Sequence, residues 1–411
     1  MCDDGGRSIR DARVNQYFAD CLGVIKPDAA WEKVFERDKR ARDLSARTDQ
    51  ISNYNAVYDL VRGVAALLVF LAHLYPLLTI VADAHFRIDI MDTLAFISVE
   101  FFFALSGILL GPILYRHFLK DNPFQQVKIF LQRRWYRTLP AFYGGLIAWS
   151  VTHYLTGVYN PGEIAAFVPS YFFFVQNLWG QHDQFYQIAW SISIEELFYV
   201  VFTVCVAGAF FVGKRSAAHS FQLAIGGLII FSLVMRMVQL QDFESWDSDI
   251  RQASLLRLDS IAMGALVGIY YNKIRAAVFA GAIFIVLAAI WYISLYWHDI
   301  QPGLREGIIL QALFILLPLS AAVIIKYLGE HWHLCPHPVI RFLADISYPL
   351  YIFHMVIMVV YFKSIGMVLS FSTIGGYIAV TFLLCFAFFK CVETPILNRR
   401  PRYQTKDKEG V

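Results

Sequence analysis

Arg62 and His73 stand eleven residues apart inside an apolar run. Wound as an α-helix, that spacing puts both side chains on one face, roughly 16 Å apart along the axis. A neutral imidazole in apolar surroundings can act as a general base near neutral pH. It can equally be satisfied as part of the packing. The next apolar run opens with Val99-Glu100-Phe101-Phe102-Phe103-Ala104-Leu105-Ser106-Gly107. If it enters from the opposite end, Glu100 reaches the depth of His73 and could orient the imidazole and stabilise its charged form. The other reading is a carboxylate favoured at a helix start by the dipole.

Arg133, Arg134 and Arg137 cluster ahead of a third apolar stretch. Guanidinium forks match phosphate oxygens two bonds at a time. Arginine is also enriched at the inner ends of membrane spans for reasons of topology alone. Further on, Ser191 and Glu195 are four residues apart and share a helix face. Arg257 and Asp259 could pair with each other, or Arg257 with Glu195. Ser347, Tyr348 and His354 are expected against the interior. Six cysteines, at 2, 21, 205, 335, 385 and 391, show no metal-ligand spacing and read as free thiols. No metal site is expected.

The 411-residue chain that holds these residues is 58% hydrophobic and only 16% charged. Mean hydropathy is +0.52. This composition excludes a disordered chain and argues against a soluble enzyme. The net charge of +3 gives no reason to expect nucleic acid. Ten hydrophobic runs lie at 57–80, 93–115, 139–158, 190–212, 221–240, 255–272, 276–297, 307–325, 347–363 and 372–391. Each approaches the length that crosses about 30 Å of hydrocarbon, and only helices of such lengths satisfy their own backbone in lipid. The expected fold is therefore all-α, a polytopic membrane protein of about ten spans. The aromatic stretch 163–178 is short and holds Pro169, which fits a re-entrant or interfacial piece.

Charge sets the expected orientation. With the N-terminus inside, the outer loops and their edges hold Arg87, Arg251, Arg257, Arg305 and Lys363, and Arg62 and Arg236 fall within spans. All other Lys and Arg are inside, so both termini are expected in the cytoplasm. The outer loops 81–93 and 241–250 are acidic. Residues 1–56 carry ten basic and ten acidic residues and no signal-peptide pattern, and read as a cytoplasmic head. The expected parts are a head of 1–53, a membrane domain of 54–395 and a basic tail of 396–411.

In order along the chain, these blocks resemble the acyltransferase-3 family of integral membrane O-acyltransferases. Arg62 and His73 match its Arg-then-ten-residues-then-His element. Glu100 through Gly107 resembles its acid-Phe-Phe-x-x-Ser-Gly element, and Arg134 and Arg137 match its R-x-x-R. WSISIEELFY, RLDSIAMGALVG, ISYPLYIFH and VETP resemble the remaining blocks.

The resemblance covers roughly residues 54–400. It implies transfer of an acyl group, usually acetyl, from acyl-CoA as co-substrate to a hydroxyl of a carbohydrate, exopolysaccharide or glycolipid, with no bound cofactor. By position, His73, with Glu100, would deprotonate the acceptor hydroxyl or hand the acyl group across. Arg134 and Arg137, with Arg133, would bind the CoA phosphates, and Arg62 would guide the thioester arm. Ser106, Ser191, Glu195, Arg257, Asp259, Tyr348 and His354 would form a supporting polar cluster. The expected location is a cell membrane, the inner one in a Gram-negative cell, in contact with lipid.

Some relatives carry an extra hydrolase-like domain after the membrane part. With only a short tail here, any relay would need a separate partner. Trp179, Trp190, Trp246, Tyr159 and Tyr186, in or beside the outer loops, could stack on sugar rings or form an interfacial aromatic belt. The competing function is a transporter or flippase of a glycolipid, a class that often shows repeated halves with broken spans. No such repeat is visible.

Overall fold

A computed structural model describes residues 55–83, 89–118, 123–180, 183–213, 216–271, 273–332, 334–335 and 337–401. The 1–53 head and most of the 396–411 tail lie outside them. The chain divides into two units. Met1–Ala56 with His333–His337 is mostly outside the described residues, and Val57–Trp332 with Pro338–Val411 holds the helical bundle. The helices are α1 (Ala56–Ala82), α2 (Asp89–Phe118), α3 (Pro123–Thr156), α4 (Pro161–Phe172), α5 (Trp190–Ala207), α6 (Ala217–Gln239), α7 (Leu258–Tyr270), α8 (Ala276–Tyr296), α9 (Leu304–His331), α10 (Pro338–Ser364), α11 (Phe371–Phe388) and α12 (Thr394–Asn398). Among the described residues there is no strand.

Eight helical stretches are long and apolar enough to cross a membrane. These are α1, α2, α6, α8, α9, α10, α5 with its flanking turns, and α11 continued into α12. The protein is thus an all-α, polytopic membrane protein. The other two runs are helical as well, for different reasons. The 139–158 run is the second half of α3, whose 34 residues span about 51 Å at 1.5 Å each. That exceeds a bilayer core, so the polar first half projects beyond the apolar half. Arg134 and Arg137 fall near the junction.

The 255–272 run becomes α7, only 13 residues long, about 20 Å. It is enclosed by α2, α5, α6 and α9. Every residue from Leu258 to Ala265 is buried. Its apolar composition serves packing against protein, not lipid. The 163–178 stretch includes α4, 12 residues started by an Asn160–Glu163 capping box, too short to span, as expected.

α2 and α7 pack closely, because glycines meet on both sides. A Cβ on Gly107 would lie 2.2 Å from the Ile261 carbonyl oxygen, and one on Gly264 would lie 2.4 Å from that of Ala104. Small residues four apart, Gly107/Gly111 and Gly264/Gly268, let the two backbones touch. This contact holds α2 firmly while its Phe102–Leu110 stretch lines the cavity described next.

Cysteine departs from expectation at one place. Cys205, Cys385 and Cys391 are free thiols, but Cys335 is disulfide-bonded. Cys2 and Cys21 lie outside the described residues.

Candidate active site: two cavities and a shared wall

Two cavities meet inside the bundle. The first is lined by Arg62 from α1, by Arg134, Arg137 and Thr138 from α3, and by Ser106, Ser191, Glu195, Ser347, Tyr348 and Tyr351 over an apolar wall from α2. The second is lined by His73, Asp92, Gln187, Trp190, Asp247, Arg251, Gln252 and Trp297 among others. Val99 and Tyr351 belong to both linings. Ser191 and Tyr351 share a hydrogen bond between their hydroxyls at 2.6 Å at that wall. Helix α1 runs past both cavities, presenting Arg62 to one and His73 to the other. The eleven-residue spacing thus connects two chambers along one helix face.

In the arginine cavity, Arg134 donates to the Tyr199 hydroxyl at 3.1 Å and lies 4.8 Å over its ring. The Nε of Arg134 is buried without a partner. Arg62 has only a loose contact with Asp59, at 3.4 Å. Ser106 donates to Glu195 at 2.5 Å, and the Tyr348 hydroxyl donates to the Thr138 carbonyl at 2.9 Å. Guanidinium groups with donors to spare, facing an open cavity, can receive a phosphorylated ligand. Arg133 stands apart, since it is not in the lining and donates to the Pro401 carbonyl at 2.6 Å.

The histidine cavity is polar and aromatic. A one-turn π-helix, Asp247–Arg251, brings Arg251 to its wall, where it pairs with Asp247 and lies 4.6 Å over the Trp190 ring. Asn177 is fully buried and anchors this loop, donating to the Trp190 carbonyl at 3.0 Å and the Gln252 carbonyl at 2.6 Å. Carboxylate, amide and guanidinium groups beside indole rings are suited to a polyhydroxylated ligand. Of the five aromatic residues that could stack on sugar rings, only Trp190 lines this cavity. Tyr159 instead packs against His153, Phe167 and Phe185, and Tyr186 against Phe142 and Tyr171. Trp246 is buried, donating to the Trp297 carbonyl at 2.9 Å. Trp179 is exposed.

The expected Glu100–His73 pair does not form. Glu100 is fully buried and paired with Arg257, which also donates to Ser260 at 3.0 Å and lies 4.3 Å over the Phe314 ring. Matching depth on two helices leaves their rotation open, and α2 turns Glu100 toward Arg257. Arg257 and Asp259 do not pair with each other either. Asp259 takes two bonds from Arg236, at 2.9 and 2.5 Å, and Arg236 also donates to Gln311 at 2.8 Å. These two ion pairs form a buried layer that lines neither cavity. The partner of His73 is His354, at 3.3 Å.

Tyr351 shares a helix face with Tyr348 and His354 by their spacing of three, the signal in the sequence that marks it. Arg251 reads from the sequence only as a loop charge, and Glu196 as the second of two adjacent carboxylates with no role of its own. Glu196 is buried and accepts from Thr138 at 2.7 Å. Among the described residues, no group of three or more His, Cys, Asp or Glu could hold a metal ion.

The acyltransferase-3 family model, described as an acyltransferase domain, matches residues 55–390. No curated protein and no solved structure matches the chain.

Proposed function

The chain belongs to the acyltransferase-3 family of membrane acyltransferases, and from that premise we propose that it moves an acyl group, first of all acetyl, from acyl-CoA to a hydroxyl of a carbohydrate, exopolysaccharide or glycolipid. The observation that carries this reading is the wall of Val99 and Tyr351 common to two chemically different cavities. A donor with phosphates at one end and a thioester at the other fits the arginine side. A polyhydroxylated acceptor fits the histidine side. The pantetheine arm, about 15–20 Å long, reaches from a phosphate site at Arg134 and Arg137 to the wall. The charge distribution supports a cytoplasmic arginine side and cytoplasmic termini, in a cell membrane.

The chemistry assigned to the chain's residues is a single displacement. His73 takes the proton of the acceptor hydroxyl, and that oxygen attacks the thioester carbonyl carbon. A carbon–oxygen bond forms and the carbon–sulfur bond breaks. The CoA sulfur leaves as thiolate and receives the proton from the imidazolium.

Mass spectrometry of surface glycans and glycolipids from cells with and without the gene tests the reading. One acyl mass is expected to be missing without it, identifying donor and acceptor class together. Unchanged glycans, with no acetyl-CoA consumed by the purified protein, would instead favour the transporter reading.

A further inference from the structure

His354, on α10, is fully buried. Its Nδ1 lies 2.8 Å from the Leu350 carbonyl oxygen and 2.9 Å from that of Tyr351. A carbonyl oxygen only accepts, so this Nδ1 carries the hydrogen, and Nε2 of the neutral ring keeps its lone pair. That Nε2 lies 3.3 Å from Nδ1 of His73. The Nδ1 of His73 is itself 2.8 Å from the Val69 carbonyl oxygen, so it too carries hydrogen. The hydrogen is shared between the carbonyl and His354. The nitrogen of His73 left with a lone pair is then Nε2, on a ring that lines the acceptor-side cavity.

We propose that His354 is a positioning residue for His73: its Nε2 accepts the His73 Nδ1–H, fixing the tautomer and ring orientation that leave His73 Nε2 as the base. The proposal rests on the acyl-transfer reading of His73 given above. The role is the one a carboxylate fills in serine-hydrolase triads. A neutral imidazole fills it here without the desolvation of a second buried ion, while the nearby-depth carboxylate, Glu100, is committed to Arg257.

His354 is held in turn. The Tyr377 hydroxyl donates to its carbonyl at 3.0 Å. Phe70 meets its ring edge-on with centroids 6.0 Å apart, and stacks on Tyr377 at 5.8 Å. When His73 accepts the acceptor's proton at Nε2, the positive ring keeps the same Nδ1–H bond to His354. The proton then passes to the departing CoA thiolate, and the pair returns to its starting state.

Two substitutions separate positioning from packing. In His354→Gln, the side-chain carbonyl oxygen falls near the place of Nε2 and can still accept from His73. In His354→Asn, the amide falls near Nδ1, keeps the bond to the backbone carbonyl and leaves the His73 Nδ1–H with only the Val69 carbonyl to accept it. The full chain in lipid nanodiscs would be assayed for CoA release from acetyl-CoA, with the surface glycolipids and glycans extracted from cells lacking the gene as acceptor.

The Asn variant is expected to lose kcat by about 100-fold, the scale of one acid–base contribution, with the KM for acetyl-CoA unchanged. The Gln variant is expected to retain most of the rate. A second readout needs no turnover, namely the rate at which diethyl pyrocarbonate modifies His73, followed by mass spectrometry of its peptide. His73 should label more slowly in the Asn variant and at the wild-type rate in the Gln variant. Equal labelling in Asn and wild type, or equal losses in Asn and Gln, would overturn the proposal. A wild-type protein that releases no CoA would overturn the acyl-transfer reading instead, and the labelling comparison would still decide the role of His354.

Discussion

Two sets of arginines sit within the same bundle and meet different fates. Arg236 and Arg257 are fully buried, and each is matched to a carboxylate on another segment, Asp259 and Glu100. Arg236 spends its guanidinium on Asp259, Gln311 and the Leu256 carbonyl. Arg134 and Arg137 form no ion pair among the described residues, and with Arg62 they face an open cavity. The first set clamps α6 and the start of α7 to α2 and α9. The second is held in place with hydrogen-bonding capacity unspent. A charge buried in a membrane protein is therefore a weak sign of chemistry by itself; the informative sign is a buried charge whose partner is not another part of the protein.

The sharpest way to break this contrast is to remove one partner from the first set. Arg236→Leu leaves Asp259 buried and uncompensated, a loss of about 3–5 kcal/mol. It is expected to abolish a monodisperse peak in size-exclusion chromatography, and Arg236→Leu with Asp259→Leu together to restore it. A stable single variant would mean that the ion pair does not hold the bundle. The second set should behave in the opposite way. Arg134→Ala and Arg137→Ala are expected to fold normally and to raise the KM for acetyl-CoA by about 10- to 100-fold, from a charged hydrogen bond of about 1.5–3 kcal/mol. The smallest effect is expected at Arg133→Ala, which should leave that KM unchanged because its guanidinium is turned to Pro401. An Arg133→Ala defect equal to that of Arg134→Ala would undo the distinction between the lining arginines and their neighbour.

Much of this plan was legible in the sequence, for reasons that also explain the misses. Hydropathy marked the helices because lipid demands long apolar stretches with internally satisfied backbones. The same signal could not separate α7, apolar because it is enclosed by protein, from a lipid-facing helix such as α8. The Arg62–His73 spacing lies within one helix, so its geometry follows from helix pitch alone. Which carboxylate meets which arginine depends on the rotation of separate helices, so depth alone leaves Glu100 open to His73 or to a helix-start role, whereas the fold pairs it with Arg257. His354 was expected in the interior, but its contact with His73 joins residues 281 positions apart, and no local period encodes such a meeting. Arg236 was set aside as a residue within a span. Its isolation in an apolar run already required a buried partner.

The measurement that bears most directly on the two-cavity account is acetyl-CoA binding and CoA release by His73→Ala, side by side with wild type in nanodiscs. The account predicts that acetyl-CoA still binds with wild-type affinity on the arginine side, while CoA release falls by at least about 100-fold. CoA release at the wild-type rate from His73→Ala would contradict it.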